Sequence, residues 1–160
     1  MLVLVSGGGS ALVCAPPDGV TLADKIALND ALIRSGADIR AVNAVRQHVS
    51  RLKGGGLARL ARPARVLSLI VSDVPDDDVR IVASGPTAPA AATAAEAAEV
   101  MDRHGIGRRF REMLRGRGAG EADAFDHVEN VVIGSNRLSV DEIAASAARQ
   151  GVRVVRAHDW

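Results

Sequence analysis

Five glycine- and serine-rich residues have the composition of an anion-binding loop. The apolar run at 2–5 is typical of a buried strand, and it is followed directly by Ser6, Gly7, Gly8, Gly9 and Ser10. Glycines let backbone N–H groups approach an anion closely, particularly where a helix begins. The segment is therefore a candidate phosphate-binding loop. The alternative is a tight strand-to-helix turn that needs glycine for packing alone.

Two familiar nucleotide motifs are excluded at this loop. No Gly-Lys-Ser/Thr follows the glycines, as a Walker A loop requires. The spacing G-x-G-x-x-G of a dinucleotide fold is not formed either. The third glycine would have to stand two positions past Ser10, where this sequence has Leu12.

A cluster of carboxylates follows a second apolar run at 67–71. Asp73, Asp76, Asp77 and Asp78 fall within six residues. Carboxylate oxygens suit a hard cation such as Mg²⁺ that bridges nucleotide phosphates. Asp73 is the strongest functional candidate, because it lies nearest the strand end, where the scaffold holds a side chain most tightly. The alternative is a solvated acidic turn after Pro75.

Cations precede a second triple glycine at 54–56. Arg46 is suited to bidentate contact with a carboxylate or phosphate, and Lys53 to a point-charge contact. The alternative is a solvated helix surface, which is the usual place for isolated cations. Only Lys25 and Lys53 are lysines, so any role that needs an ammonium group has two candidates.

A third apolar run at 128–133 leads into Gly134, Ser135 and Asn136. The last two residues are predicted first of all to cap the next helix. An anion bound at that helix N-terminus would use the same unpaired N–H groups, so the capping and anion-binding interpretations are compatible.

These loops need a scaffold, and the pattern of the chain predicts one. Strands are expected at 2–5, 65–71, 128–133 and 152–155, with helices between them and a loop at 116–126. This order predicts parallel β-α-β crossovers in a three-layer α/β sandwich. Because the carboxyl ends of parallel strands lie at one edge, the three polar loops are expected to share a crevice. The chain starts within one strand and ends just past another, so the predicted sheet is incomplete.

Composition narrows the class of protein. The 160 residues, 48% of them hydrophobic, fit one globular domain. A net charge of +1 and 2% aromatic content argue against nucleic acid as a partner. Cys14 is the single cysteine, which suits a reducing compartment, and neither a leader nor a membrane span is recognisable. A cytoplasmic location without membrane attachment is therefore predicted; the oligomeric state is left open.

Taken in order, several segments resemble the glycerate 2-kinases of the MOFRL type, a family also labelled hydroxypyruvate reductases. The matching strings are LVSGGGSAL at 4–12, SGADI at 35–39, NAVRQHVS at 43–50, KGG at 53–55, SDVP at 72–75, ASGPT at 83–87 and IGSN at 133–136. Together they span nearly the whole chain, and their order makes them far more specific than any one string.

The resemblance implies a Rossmann-like N-terminal domain and ATP-dependent, metal-requiring phosphorylation of D-glycerate to 2-phosphoglycerate. Nucleotide and D-glycerate are the implied small-molecule partners, with Mg²⁺ as the metal. The residues at 6–10, with Ser135 and Asn136, would bind phosphate groups. Asp73, Asp77 and Asp78 would serve the metal, and Asp73, Lys53 and Arg46 the reacting centre, where positioning and charge stabilisation dominate catalysis.

Two departures from the family pattern are present. Asp76 stands where the family usually has glycine; aspartate tolerates a left-handed backbone but adds a charge. Family members also carry an upstream Gly-Lys-Ala segment and a downstream MOFRL domain. The resemblance therefore predicts that residues 1–160 correspond to part of the N-terminal domain and have deficient activity alone. The alternatives are an NAD(P)-dependent hydroxypyruvate reductase and a non-catalytic nucleotide- or anion-binding module.

Overall fold

Three parallel strands form the sheet in this computed structural model, which describes residues 1–116 and 125–156. They are β1 (Leu2–Ser6), β2 (Val66–Val71) and β3 (Val128–Gly134), with β2 in the centre. Leu2 pairs with Leu67, and Val66 pairs with Val128. All three strands therefore end at one edge, as the sequence predicts, and the mixed α/β fold with a parallel sheet is confirmed.

Helices fill the connections between the strands. Within the described ranges they are α1 (Gly9–Leu12), α2 (Leu22–Arg34), α3 (Ile39–His48), α4 (Gly56–Ala61), α5 (Ala94–Arg103), α6 (Arg108–Arg111) and α7 (Asn136–Arg149). Short 3-10 segments cover Val82–Ser84 and Glu112–Gly116. None of the helices in this part of the chain is long and apolar enough to cross a membrane.

Residue types that favour helix N-caps begin three of the helices, as their sequence pattern predicts. Thr21 and Asp24 form a reciprocal capping box at α2, and Thr93 and Glu96 form a second at α5. The Asp38 carboxylate accepts a hydrogen bond from the Ala41 N–H at the start of α3. Local sequence therefore determines where these helices begin.

A helical core lies beside the sheet. The apolar faces of α2, α3 and α5 pack together there with the segment around α6. This packing buries the apolar side of each amphipathic helix. Its buried members are Leu28, Leu32, Val42, Val45, Val49, Ala97, Met101, Ile106, Met113 and Leu114.

The sheet has a much smaller core. Val5, Ile70 and Val82 are buried together, with Val3 and Val132 packed against them. The opposite face of the strands carries apolar side chains that stay exposed: Leu2, Leu4, Leu67 and Val71. Alternation along the strands puts these two sets on opposite faces.

The predicted fourth strand at 152–155 is wrong. Residues 152–156 pair with no strand in the described sheet. The Val152 N–H instead donates to the Ala147 carbonyl, which closes the C-terminus of α7, and Gly151 supplies the left-handed residue (φ 73°) of that closure. An apolar run of strand-like composition thus stays unpaired, because no strand in residues 1–116 and 125–156 lies beside it. The loop predicted at 116–126 falls mostly outside the described residues.

Candidate active site

The glycine-rich segment forms the turn from β1 into α1. Gly8 caps the helix in the left-handed region, with φ of 80°, a conformation that glycine adopts at no steric cost. The Gly8 and Gly9 carbonyls accept hydrogen bonds from the N–H groups of Ala11 and Val13. The strand-to-helix turn is therefore confirmed, and it is compatible with anion binding because the same turn presents backbone N–H groups at the edge of the sheet.

Gly7 lies directly against Asp73, so the loops after β1 and β2 meet. A Cβ atom added to Gly7 would lie 2.1 Å from Oδ2 and 2.7 Å from Cβ of Asp73. A residue larger than glycine cannot occupy this position without displacing the carboxylate. The Asp73 side chain is exposed, and no hydrogen bond to it is seen within residues 1–116 and 125–156.

Arg46 and Lys53 converge on the last residue of the glycine-rich loop. The Lys53 Nζ donates to the carbonyl oxygen of Ser10 at 2.5 Å and to its Oγ at 2.8 Å, and an Arg46 Nη donates to the same carbonyl at 3.3 Å. Lys53 is only 1% exposed. The two cations thus hold the loop by hydrogen bonds from the protein side and place positive charge beneath it.

Burial is the main cause that lowers the pKa of Lys53 to about 8, and the nearby charges of Arg46 and Lys25 lower it further. Burying an ammonium group is costly because the group loses its hydration, and the cations beside it add repulsion. The hydrogen bonds to Ser10 offset part of that cost. Tertiary packing has therefore concentrated positive charge under the loop.

The loop also contacts a turn that the sequence did not mark as functional. The hydroxyl groups of Ser10 and Ser84 are hydrogen-bonded at 2.6 Å. Ala83, Ser84 and Gly85 have φ values of 50°, 65° and 60°, which is the left-handed region. Two consecutive non-glycine residues in this region cost free energy and are held only by their surroundings.

Gln47 supplies much of that restraint. It is 1% exposed; its Nε2 donates to the carbonyls of Arg80 and Ser84, and its Oε1 accepts from the Ala91 N–H. The Ser84 carbonyl also accepts the Gly54 N–H at 2.9 Å. Gln47 and the turn lie in the matching strings NAVRQHVS and ASGPT, but nothing local predicted that Gln47 holds the turn, because Arg80 is 33 positions away and Ser84 is 37 positions away.

Two other acidic residues of this loop, Asp77 and Asp78, are paired with arginines. Asp78 accepts hydrogen bonds from the Arg80 guanidinium at 2.6–3.1 Å, and Asp77 accepts from Arg137 Nε at 3.3 Å. The left-handed residue of this loop is Asp77, with φ of 54°, and not Asp76, which replaces the family glycine. Asp77 thus links the loop after β2 to the helix after β3.

The pKa of Asp77 is lowered overall. Burial acts to raise it, but hydrogen bonds with Ser72 and Ser135 and the charge of Arg137 outweigh that effect. For Asp78, the hydrogen bond from Arg80 is the largest cause of a lowered pKa. Both carboxylates are therefore held ionised by partners that belong to the protein itself.

Ser135 is confirmed as the N-cap of α7. Its Oγ accepts the Leu138 N–H at 3.2 Å, and Asn136 is the first residue of the helix, exposed at its end. The Gly134 carbonyl accepts the Ser72 N–H, so the ends of β2 and β3 are joined. The phosphate role predicted for Ser135 and Asn136 stays a prediction.

The metal predicted at Asp73, Asp77 and Asp78 can be compared with this geometry. Nowhere in the described ranges do three histidine, cysteine or acidic side chains gather as a metal cluster. The carboxylates of Asp77 and Asp78 accept hydrogen bonds from arginines, whereas Asp73 is exposed to solvent beside the glycine-rich loop. Mg²⁺ is commonly held by one or two carboxylates together with substrate phosphates and water, so Asp73 alone fits that ion. The predicted metal roles of Asp77 and Asp78 stay predictions.

Comparisons with known proteins agree on the family. The domain of unknown function DUF4147 matches residues 1–117. A putative hydroxypyruvate reductase of Agrobacterium vitis is 42% identical over 97% of this chain and 41% of its own length. Human glycerate kinase is 40% identical over 97% of this chain and 31% of its own length. The chain thus spans about two fifths or less of the length of these relatives.

Two crystal structures share the fold. A glycerate kinase from Thermotoga maritima superposes with a TM-score of 0.82 at 36% identity, over 94% of this chain and 36% of that one. A protein from Pyrococcus horikoshii superposes with a TM-score of 0.81 over the same shares, also at 36% identity. The resemblance drawn from the motifs is therefore confirmed at the level of family and fold.

Proposed function

The chain belongs to the DUF4147 family, and on that premise we propose that it provides the phosphate-binding edge of a glycerate 2-kinase, which transfers phosphate from ATP to the 2-hydroxyl of D-glycerate. The observation that carries the proposal is the close approach of Gly7 to Asp73. Asp73, an exposed carboxylate, thus lies beside the candidate phosphate-binding loop. Relatives named glycerate kinase at about 40% identity support the same activity.

Each part of the edge has a role in the proposal. Backbone N–H groups of residues 6–10 bind the phosphates, and the N-terminus of α7 at Ser135 and Asn136 offers further donors. Arg46 and Lys53 act through Ser10: they hold its carbonyl and place positive charge where negative charge develops. Asp73 contacts the reacting centre directly. Phosphoryl transfer needs this combination because positioning and charge stabilisation supply most of the catalysis.

Mg²⁺ is included in the proposal because the donor at Asp73 fits it. A bound Mg²⁺ would neutralise phosphate charge during transfer. Asp73 would hold it, together with oxygens from the nucleotide and water. Asp77 and Asp78 stay the further candidate ligands, and through Arg137 and Arg80 they also keep the acidic loop in place.

The first test measures ATP binding to the protein by isothermal titration calorimetry, with and without Mg²⁺. The proposal expects binding that Mg²⁺ strengthens, and Asp73→Asn is expected to remove the Mg²⁺-dependent part. Asp76→Asn is the matched control, since Asp76 is exposed, lies in the same loop and loses the same charge. Equal Mg²⁺ dependence in the two variants would contradict the role of Asp73.

The second test follows the reaction. With ATP, Mg²⁺ and D-glycerate, the expected product is 2-phosphoglycerate, identified by phosphorus NMR, and residues 1–160 alone are expected to form it slowly at most. The name of the Agrobacterium vitis relative suggests the competing assay, oxidation of NADH by hydroxypyruvate. Oxidation of NADH in that assay, with neither ATP binding nor phosphorylated product, would contradict the kinase proposal and favour a reductase. The missing dinucleotide motif argues against that outcome.

A further inference from the structure

Ser84 occupies a backbone conformation that its residue type does not favour. Its φ of 65° lies in the left-handed region, next to Ala83 at 50°. Glycine adopts this conformation without steric cost, whereas a residue with a Cβ atom is strained there. Such strain persists only where the surroundings impose it, and it clusters at functional sites. A serine at this position therefore requires a contact that glycine could not make.

The hydroxyl group of Ser84 makes such a contact. It is hydrogen-bonded at 2.6 Å to the hydroxyl of Ser10, the residue that ends the glycine-rich loop. Ser84 is 1% exposed, so losing this partner would leave a buried polar group unsatisfied. The Ser10 Oγ also accepts a hydrogen bond from Lys53 Nζ at 2.8 Å. The side chain of Ser84 thus meets the atom at which the loop and the buried cation are joined.

The backbone of Ser84 holds the segment that carries Lys53. The Ser84 carbonyl accepts the N–H of Gly54, the residue after Lys53, at 2.9 Å. Gln47 Nε2 donates to the same carbonyl at 3.3 Å. Because its hydroxyl contacts Ser10 and its carbonyl contacts Gly54, one residue sets the spacing between Lys53 and the glycine-rich loop.

The glycine-rich loop needs an anchor of this kind. Glycines have more backbone freedom than other residues, so ordering the three at 7–9 around an anion costs conformational entropy. A loop that is already ordered before the ligand arrives binds more tightly, because that cost is met during folding. Ser10 is the first residue after these glycines, and its contact with Ser84 fixes that end of the loop.

We propose that Ser84 is a positioning residue for phosphate binding. It does not contact the nucleotide; its hydroxyl orders Ser10, and its carbonyl keeps Lys53 beneath the same loop. The strained backbone is the consequence of making both contacts from one residue. This inference rests on the proposed function for the identity of the anion.

The first test removes the hydroxyl. Ser84→Ala is expected to weaken Mg²⁺-ATP binding about fivefold in a calorimetric titration, which is the effect of one hydrogen bond. Without ligand, it is also expected to speed amide hydrogen exchange in the turn by about threefold or more. The reporters are the N–H groups of Ala11 and Val13, which donate to the carbonyls of Gly8 and Gly9.

Ser35→Ala is the matched control. The Ser35 hydroxyl donates one hydrogen bond, at 2.7 Å, to the Leu32 carbonyl at the C-terminus of α2. This variant therefore loses the same group and one hydrogen bond outside the candidate site. It is expected to keep the ATP affinity and the exchange rates of the wild-type loop.

Ser84→Gly separates positioning from stability. Glycine removes the hydroxyl and also relieves the strain at a φ of 65°. The variant is expected to unfold at a higher temperature than Ser84→Ala, yet to bind Mg²⁺-ATP at least as weakly. An ATP affinity that follows the midpoint of thermal unfolding across the two variants would show a structural role only and would overturn the inference.

A double variant tests whether Ser84 acts through Ser10. In a Ser10→Ala background, Ser84→Ala is expected to cause no further loss of ATP affinity, because the contact between the two hydroxyls is already absent. Additive losses would show that Ser84 acts by another route, which would contradict the proposed positioning.

Failure of this inference can be distinguished from failure of the proposed function. If Ser84→Ala and Ser84→Gly bind Mg²⁺-ATP like wild type, Ser84 does not position the loop and the kinase proposal stands. If wild type does not bind Mg²⁺-ATP, the proposed function fails and this inference fails with it.

Discussion

The helical core and the sheet edge are held together by different forces. Around α2, α3 and α5 ten apolar residues are buried in one cluster. At the sheet, only three residues form the buried cluster, and the loops beyond the strands are fixed by hydrogen bonds among Ser10, Lys53, Ser84 and Gln47. Apolar burial is proportional to area and insensitive to direction, whereas hydrogen bonds fix direction.

This difference separates stability from function. Close-packed apolar side chains supply free energy of folding but present nothing to a ligand. Directed polar contacts contribute less net free energy, yet they place donors and carboxylates where a phosphate group can meet them. Variants in the helical core are therefore expected to change the free energy of unfolding, and variants at the sheet edge are expected to change ligand affinity.

The largest expected effect tests the helical core. Leu32 is fully buried, and Leu32→Ala is expected to lower the free energy of unfolding by about 3 kcal/mol, because it leaves a cavity. The matched substitution Leu4→Ala, on the outer face of the sheet where Leu4 is 74% exposed, is expected to change it by less than about 0.5 kcal/mol. Urea unfolding measures both. Equal losses would show that the outer sheet face is covered in solution.

The next effect tests the sheet edge. Gly7→Ala is expected to displace the Asp73 carboxylate, since the added Cβ would overlap it, and to weaken Mg²⁺-ATP binding about tenfold or more. Gly107→Ala is the control, because a Cβ there meets nothing within 4 Å and φ is −53°. The measurement is calorimetric titration with circular dichroism to verify folding. Undiminished binding in Gly7→Ala would separate Asp73 from the nucleotide site.

A pH-dependent effect tests the cations beneath the loop. The pKa of Lys53 is about 8 in the folded chain, against an ordinary value of 10.5, so between these pH values the unfolded chain binds more protons and stability rises with pH. From pH 7.5 to 9.5 this rise is expected to be roughly 1–2 kcal/mol, and Lys53→Met is expected to remove it. Urea unfolding at both pH values measures it.

The control for this measurement is Arg34→Met, which removes a cation from an exposed helix end. Its free energy of unfolding should rise with pH with the same slope as that of the wild type. A Lys53→Met variant with that same slope would mean that Lys53 does not titrate in this range. The cost of burying the ammonium would then be offset fully by its contacts with Ser10.

The smallest expected effect concerns the link between the loop after β2 and helix α7. Asp77→Asn keeps the left-handed backbone, which asparagine tolerates, but loses the charge that Arg137 contacts. Because the folded-state pKa of Asp77 is lowered, its contribution is present above the ordinary value of 3.8 and is lost as pH falls below it. Thermal unfolding of Asp77→Asn is expected to show a slightly lower midpoint at pH 7 and a wild-type midpoint at low pH. A difference that persists at low pH would exclude the charge as its cause.

Much of the fold follows from local sequence. Thr21 and Thr93 predict helix starts that are confirmed, because a capping box is satisfied within four residues of chain. The three strands are confirmed as well. The predicted strand at 152–155 is wrong because pairing requires a neighbouring strand, which no local pattern supplies.

Less of the candidate site than of the fold could be predicted from local sequence. The glycine-rich loop and Asp73 could be chosen as candidates because both follow strands whose ends share one edge. The hydrogen bonds of Gln47 to the carbonyls of Arg80 and Ser84 were not predicted, because they join residues far apart in the chain. Arg46 and Lys53 were chosen as cations, but only their contacts with Ser10 show that they reach the loop from inside.

By itself the sequence determined the parallel α/β class, most helix boundaries and the candidate loops, because strand composition, capping and glycine content act over a few residues. Only the tertiary structure decided which side chains meet. It placed Gly7 against Asp73, paired Asp77 and Asp78 with arginines, and buried Lys53 against Ser10. Contacts and burial depend on residues far apart in the chain, and burial determines the cost of an unpaired charge.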